Sequence, residues 1–186
     1  MTFLLGTDRL IIRNWRDDDA TLFFEINSDP RVMEFFPFVR NREQSDEVMR
    51  HLRDLIAGNG YGFTALELRD TGECIGFCGL SPTRIDGLPD GMTEIGWRLA
   101  VRHWGKGYVT EAAKALLSYG FIELGLDEIV SFAVHDNHRS TSVMQRIGMT
   151  RDAARDFDHP IVPDTMPHLK RHVFYTLQRL DWQNRK

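Results

Sequence analysis

The chain has 186 residues, 42% of them hydrophobic, and a formal net charge of -4, which suits one domain, 1–186, built around one sizeable core. Acidic and basic residues are intermixed, which excludes the basic stripe of a dedicated nucleic-acid binder. The apolar run Phe3 to Leu5 is shorter than a signal-peptide core of about 7 to 15 residues, and no later stretch approaches membrane-spanning length. The chain is therefore expected in the cytoplasm, with no membrane partner.

The apolar period alternates between two and about 3.6 along the chain, the mark of mixed strands and helices. Leu10 to Asn14 reads as a strand, followed by a helix that Asp17 is placed to cap and that carries Leu22, Phe23 and Ile26 on one face. Asp29-Pro30 ends it. A second helix runs from about Arg42 to Ala57 and stops at Gly58-Asn59-Gly60. Between them lies Phe35-Phe36-Pro37-Phe38, an apolar cluster of the kind most often found in a core, its other reading being a wall of a substrate cleft.

Three strands follow, Phe63 to Leu68, Cys74 to Leu80 and Met92 to Leu99, whose short connections favour antiparallel neighbours. Cys74 and Cys78 are the only cysteines. Four residues apart in a strand, they share a face and sit too far apart to bridge, so they are expected as small packed residues without a metal role. Then come a long helix from Tyr108 to about Leu124, a strand from Glu128 to Val134, a helix from about Arg139 to Ile147 and a last strand from Arg171 to Leu180. The fold class is thus α/β (α+β), with helices on both faces of a mixed sheet.

The segment Glu94 to Ala112 carries most of the chemical information, because a strand runs through a glycine-rich turn into an amphipathic helix. A helix start offers unpaired N–H groups and partial positive charge, and glycines let a phosphate approach closely. Gly105-Lys106-Gly107 would form such a cradle or a plain glycine turn. The Gly-Lys-Ser/Thr of a phosphate loop is missing, and Thr110 stands where a dinucleotide fingerprint needs its third glycine, so neither a nucleoside triphosphate nor NAD is supported.

With Thr7 to Trp15, Asp29 to Met33, Trp104-Gly-Lys-Gly-Tyr-Val-Thr-Glu-Ala112, and Asn137-His-Arg-Ser140 continuing to Met149, the chain resembles the GNAT superfamily. It is closely similar to the ribosomal-protein N-acetyltransferase (RimJ/RimL-like) branch over nearly its whole length. The resemblance implies a mostly antiparallel sheet of about six to seven strands, acetyl-CoA as co-substrate, no metal, and transfer of acetyl to an amine by direct attack in a ternary complex. Arg102-His-Trp-Gly-Lys-Gly107 fits the family turn literally; the flanking Thr-Glu-Ala suggests a second register, with Trp104 at the Gln/Arg position and Val109 at the final small one. By resemblance, the backbone of Trp97, Arg98 and Leu99 pairs with the pantetheine arm. Gly105, Lys106, Gly107, Tyr108, Val109 and Thr110 hold the pyrophosphate, and Asn137 holds the pantetheine.

Acetyl transfer needs an uncharged amine, a stabilised carbonyl oxygen and a protonated or stabilised thiolate. A backbone N–H near Trp97 to Leu99 is the expected oxygen stabiliser. Many family members carry a tyrosine acid seven residues after the asparagine, where Met144 stands here; the resemblance to the ribosomal-protein branch implies Ser140 as the group at the coenzyme sulfur, its alternative role being a helix cap. Glu94, sharing a face with Gly96 and Arg98, is the candidate base or a solvated strand glutamate, and His135 is the other candidate. His159 and His168 lie in a proline-rich, turn-rich segment as substrate-side residues. The acceptor is a protein N-terminus or a small-molecule amine, the assembly a monomer or homodimer, and the competing function a non-catalytic acyl-CoA sensor on the same fold.

Overall fold

The structure is a computed structural model and describes residues 3–83 and 85–184. Strands β1 (Leu4–Gly6) and β2 (Leu10–Arg13) form a hairpin, followed by helices α1 (Ala20–Ser28) and α2 (Arg42–Asn59) and strands β3 (Phe63–Leu68), β4 (Cys74–Pro82) and β5 (Thr93–Leu99). Helix α3 (Tyr108–Ile122) leads to β6 (Glu128–Val134) and α4 (His138–Arg146), then to β7 (Thr150–Arg151), β8 (Phe157–Asp158), β9 (Arg171–Gln178) and α5 (Arg179–Gln183).

The sheet order is β1-β2-β3-β4-β5-β6-β9-β7, with β8 also on β9. Every pairing is antiparallel except β5 with β6. That parallel pair needs a crossover, which α3 supplies. The sheet is mixed and largely antiparallel as expected, with more strands than the six to seven expected because three short ones carry too few residues to show a period.

Helices cover both faces. Leu10, Ile12, Leu66, Leu80 and Ile95 pack with Ala112, Ala113, Leu116 and Leu117 of α3 in the main core, each fully buried Leu or Ile contributing about 1.5–3 kcal/mol. A methyl on Gly120 would lie 2.8 Å from Ile129 and 2.9 Å from Leu80, so α3 sits close against the sheet there. On the opposite face Trp15 meets Phe23 of α1 edge-on, with centroids 4.8 Å apart, and both rings adjoin Phe77. Helix α2 starts with a reciprocal Asn41–Gln44 capping box and ends at left-handed Gly60, where the glycine stop was expected.

Four local expectations are corrected. A register shift between Leu66 and Glu67 places Cys74 opposite Glu67 and Cys78 opposite Thr64, three residues apart on β3, so the cysteines lie on opposite faces. Burial pushes the Cys74 thiol up to about 12 and raises Cys78 further, which keeps both protonated. Asp17 does not cap α1; it pairs with Arg53, while the Asp19 carboxylate takes the Arg16 N–H at 2.7 Å. The last strand ends at Gln178, and Leu180 belongs to α5. Of the phenylalanine cluster expected in a core, Phe35 is partly buried against the small cluster of Val134, Val162 and Leu169, whereas Phe36 is exposed and lies over Arg98 of β5.

Beneath α1, the buried Arg13 guanidinium binds both Asp19 oxygens, at 2.7 and 2.9 Å, and Glu67 at 2.7 Å. Burial alone would raise the Asp19 carboxyl, but the Arg13 and Arg16 hydrogen bonds hold it below the ordinary carboxylate range. This network fixes β2, β3 and the start of α1 to one another.

Candidate active site

Strand β5 pairs with β4 over seven residues, from Thr93 to Leu99, but with β6 only at Glu94 and Val130. Along a strand, the N–H and C=O groups of alternate residues face the same neighbour. Ile95 C=O accepts the Ser131 hydroxyl at 2.9 Å, and Leu99 C=O accepts the Trp104 indole N–H at 2.9 Å. Trp97, between them, presents its backbone N–H and C=O to the gap where β6 has diverged. Within the expected stretch Trp97 to Leu99, Trp97 is therefore the open rung, since Arg98 pairs toward β4 and the Leu99 C=O is taken; an edge with free backbone groups is the arrangement that accepts an added strand.

The gap leads on one side to the glycine turn. Gly105 and Gly107 hold φ of 74° and 79°, a region in which side-chain-bearing residues are strained, and Gly107 is the N-terminal boundary of α3. The first helical N–H bond recorded is from Glu111 to Gly107 C=O at 3.1 Å, so the N–H groups of Tyr108, Val109 and Thr110 precede the intrahelical ladder and point outward. Free amides and a close glycine backbone suit a pyrophosphate.

One support of this turn escaped the sequence reading. Glu111 accepts the Thr7 hydroxyl at 2.6 Å, the Arg9 N–H at 2.8 Å and the Arg9 Nε at 2.6 Å. Arg9 also donates to Lys106 C=O at 3.0 Å and lies over the Tyr108 ring. Burial alone would raise the Glu111 carboxyl, but these donors hold it below its ordinary range. The β1–β2 hairpin thus braces the turn. Its partners lie about a hundred residues apart in sequence, so no local pattern revealed the pairing.

Across the gap, Asn137 caps α4, its Oδ1 taking the Ser140 N–H at 3.1 Å. The cap is Asn137 and not Ser140, whose hydroxyl bonds to no described residue. Met144 is buried in the core at 1% exposure and presents no polar group. Arg139 lies over the Trp104 ring at 4.6 Å and the Phe35 ring at 5.6 Å, spanning from α4 to the turn and to the loop after α1.

The other face of the sheet carries Glu94, Gly96 and Arg98 side by side, as the strand period required, while Trp97 and Leu99 turn toward α3. The Arg98 side chain thus faces away from the phosphate turn, and its backbone pairs with Phe77 of β4. Burial pushes the Glu94 carboxyl up to about 7, and no described residue bonds or pairs with it. A methyl on Gly96 would lie 3.0 Å from the Phe63 ring, which covers the strand between Glu94 and Arg98.

His135 is exposed and lies 3.1 Å from Asp136. His159 packs against Phe132, Phe157 and His172 on the Glu94 side of the sheet; burial first, then His172, lowers it to about 4, so it is neutral near pH 7. His168 is exposed in a separate turn. Among the described residues, no group of three or more His, Cys, Asp or Glu side chains could hold a metal ion, and no helix is long and apolar enough to cross a membrane.

The open edge and the free helix amides lie beside one another, the Glu94 carboxyl stands on the opposite face of the same strand, and a profile of the acetyltransferase (GNAT) domain matches residues 9–150. The chain belongs to the GNAT acetyltransferase family. This GNAT protein is an acyltransferase of the N-acetyltransferase type. YkkB of Bacillus subtilis is 36% identical over 146 residues, covering 78% of this chain and 84% of its own. The uncharacterised N-acetyltransferase p20 of Bacillus licheniformis is 31% identical over 159 residues, covering 83% and 86%. A GNAT-family acetyltransferase structure from Bacillus anthracis matches with a TM-score of 0.78 at 26% identity, over 96% of this chain and 99% of that one.

Proposed function

We propose that this GNAT enzyme transfers acetyl from acetyl-CoA to the primary amine of a small molecule or a protein N-terminus, with Glu94 as the base. The observation that carries the reading is the single β5–β6 bridge, which leaves an open edge beside the phosphate turn with a raised carboxyl on the other face. Acetyl-CoA supplies the activated thioester, and the amides of residues 105–110 bind its phosphates. The exposed edge of Trp97 to Leu99 pairs with the pantetheine, assisted by Asn137, and the Trp97 N–H stabilises the carbonyl oxygen as it gains charge.

Glu94, poised near neutrality, removes a proton from the incoming ammonium directly or through one water. Ser140, with its hydroxyl uncommitted, stabilises the departing sulfur in place of the tyrosine that Met144 displaces. The RimJ/RimL-like assignment rests on the motif resemblance and on a putative ribosomal N-acetyltransferase of Bacillus subtilis, YdaF, 34% identical over 94 residues, half of this chain.

The direct test incubates the protein with acetyl-CoA and panels of small amines and N-terminal peptides while free thiol is measured. Amine-dependent thiol release is expected; coenzyme binding without release on any acceptor would refute the reading.

A further inference from the structure

Two guanidinium groups converge on the acceptor face without an anionic partner. Arg98 Nη1 donates to Asn27 Oδ1 at 2.6 Å, and Arg40 Nη1 approaches the same oxygen at 3.4 Å. Arg98 Nε is buried with no acceptor at all. Its guanidinium lies 4.3 Å from the centre of the Phe36 ring and 5.4 Å from that of Phe77, and Arg40 lies 4.3 Å from that of Phe38. Among the described residues neither arginine pairs with a carboxylate, whereas Arg13, one strand system away, holds two.

Two cations sharing one neutral oxygen are costly to keep charged. Burial, then the neighbouring Arg40 charge, lowers Arg98 to about 9, and burial lowers Arg40 as well. A fold that only needed packing here would be served by an apolar residue. The coenzyme phosphates cannot be the missing partner, because Arg98 projects from the face opposite the one that packs on α3. That face is shared with Glu94.

We propose that Arg98 and Arg40 form an anion subsite for the acceptor, so that the enzyme acetylates amines that also carry a carboxylate or phosphate group. The guanidinium fork suits a planar or tetrahedral oxyanion, and the Phe36 and Phe38 rings exclude water around it. Four residues at about 3.3 Å each separate Glu94 from Arg98 along β5, which sets an extended acceptor, with amine and anion several bonds apart, ahead of a compact one. This rests on the amine-acceptor reading above.

The experiment pairs amino acids and dipeptides of increasing length, each with its uncharged amide, and compares kcat/KM in wild type, Arg98→Gln and Asn27→Asp. Asn27→Asp keeps the side-chain size and places a carboxylate between the two arginines, so it fills the subsite without emptying the packing. Wild type is expected to favour the acid over its amide by roughly tenfold or more, with the ratio falling toward one in both variants. A separate arm without turnover measures protection against thermal unfolding by sodium sulfate relative to sodium chloride at equal ionic strength, present in wild type and lost in Asn27→Asp. A wild-type ratio of one or below, or an unchanged ratio in the folded variants, overturns the subsite. Turnover on no acceptor strikes the amine reading instead, and the sulfate arm then decides alone: protection that Asn27→Asp abolishes upholds the subsite, and its absence rejects it.

Discussion

At Glu94, burial without a partner gives a carboxyl that titrates near the pH at which enzymes work. Since a base acts only when deprotonated, kcat/KM should rise with pH through about 7 in wild type. Glu94→Gln should remove that limb and lower the rate by about 10²- to 10⁴-fold; a pH–rate profile that keeps its rise would exclude Glu94. Ser140→Ala should slow acetyl transfer while coenzyme affinity, measured by calorimetry, stays close to wild type, because the residue's backbone N–H still meets Asn137. The substitution separates the hydroxyl from the cap, two roles that the sequence left competing at one position. Asn137 and Ser140 were picked out together by the family resemblance, but which of them caps α4 was not legible, since an N-cap and an N3 residue look alike until the helix start is fixed.

At the element scale, the turn before α3 was readable because glycines, a preceding strand and an amphipathic helix stand together in one short stretch. What the local pattern lacked was the brace from the first hairpin. Glu111→Ala should weaken coenzyme binding several-fold by releasing Arg9 and Thr7 together, and a double-mutant cycle with Arg9→Ala should show non-additivity, as expected for groups in one network. Additive losses would mean that Arg9 and Glu111 act separately. Gly107→Ala asks a residue with a side chain to hold φ near 79°, a strain of about 1–2 kcal/mol. Coenzyme affinity should fall by up to about tenfold if the turn relaxes to relieve it. The cysteine faces failed as an expectation because one extra residue at a bulge reverses a strand's alternation, and the signal inside Cys74 to Cys78 is a lone in-strand glycine, Gly76, which sits at the shift with φ of 145°.

For the whole molecule, the buried Arg13–Asp19–Glu67 network ties the start of α1 to the sheet. Asp19→Asn should cost about 3–5 kcal/mol in urea unfolding, because it strips a partner from a buried guanidinium; a loss below 1 kcal/mol would show that water reaches the group. The folded Asp19 carboxyl is held below its unfolded value. Its stabilising contribution is therefore fully present above the unfolded value, near 4, and declines as pH falls through the lower folded one. The order of elements and the sheet class could be read from periodicity and turns, whereas Arg98 facing Arg40 depends on how the loop after α1 folds over β5, which no short window of residues encodes.

The single bridge between β5 and β6 also makes the enzyme its own isotope clock. In the free protein the Trp97 amide has no partner across the gap among the described residues and should take up deuterium quickly, although it lies in the middle of the sheet. A donor arm laid along that edge would supply the missing rung, and uptake at this one backbone position would then time the arrival and departure of the coenzyme without any chemistry taking place.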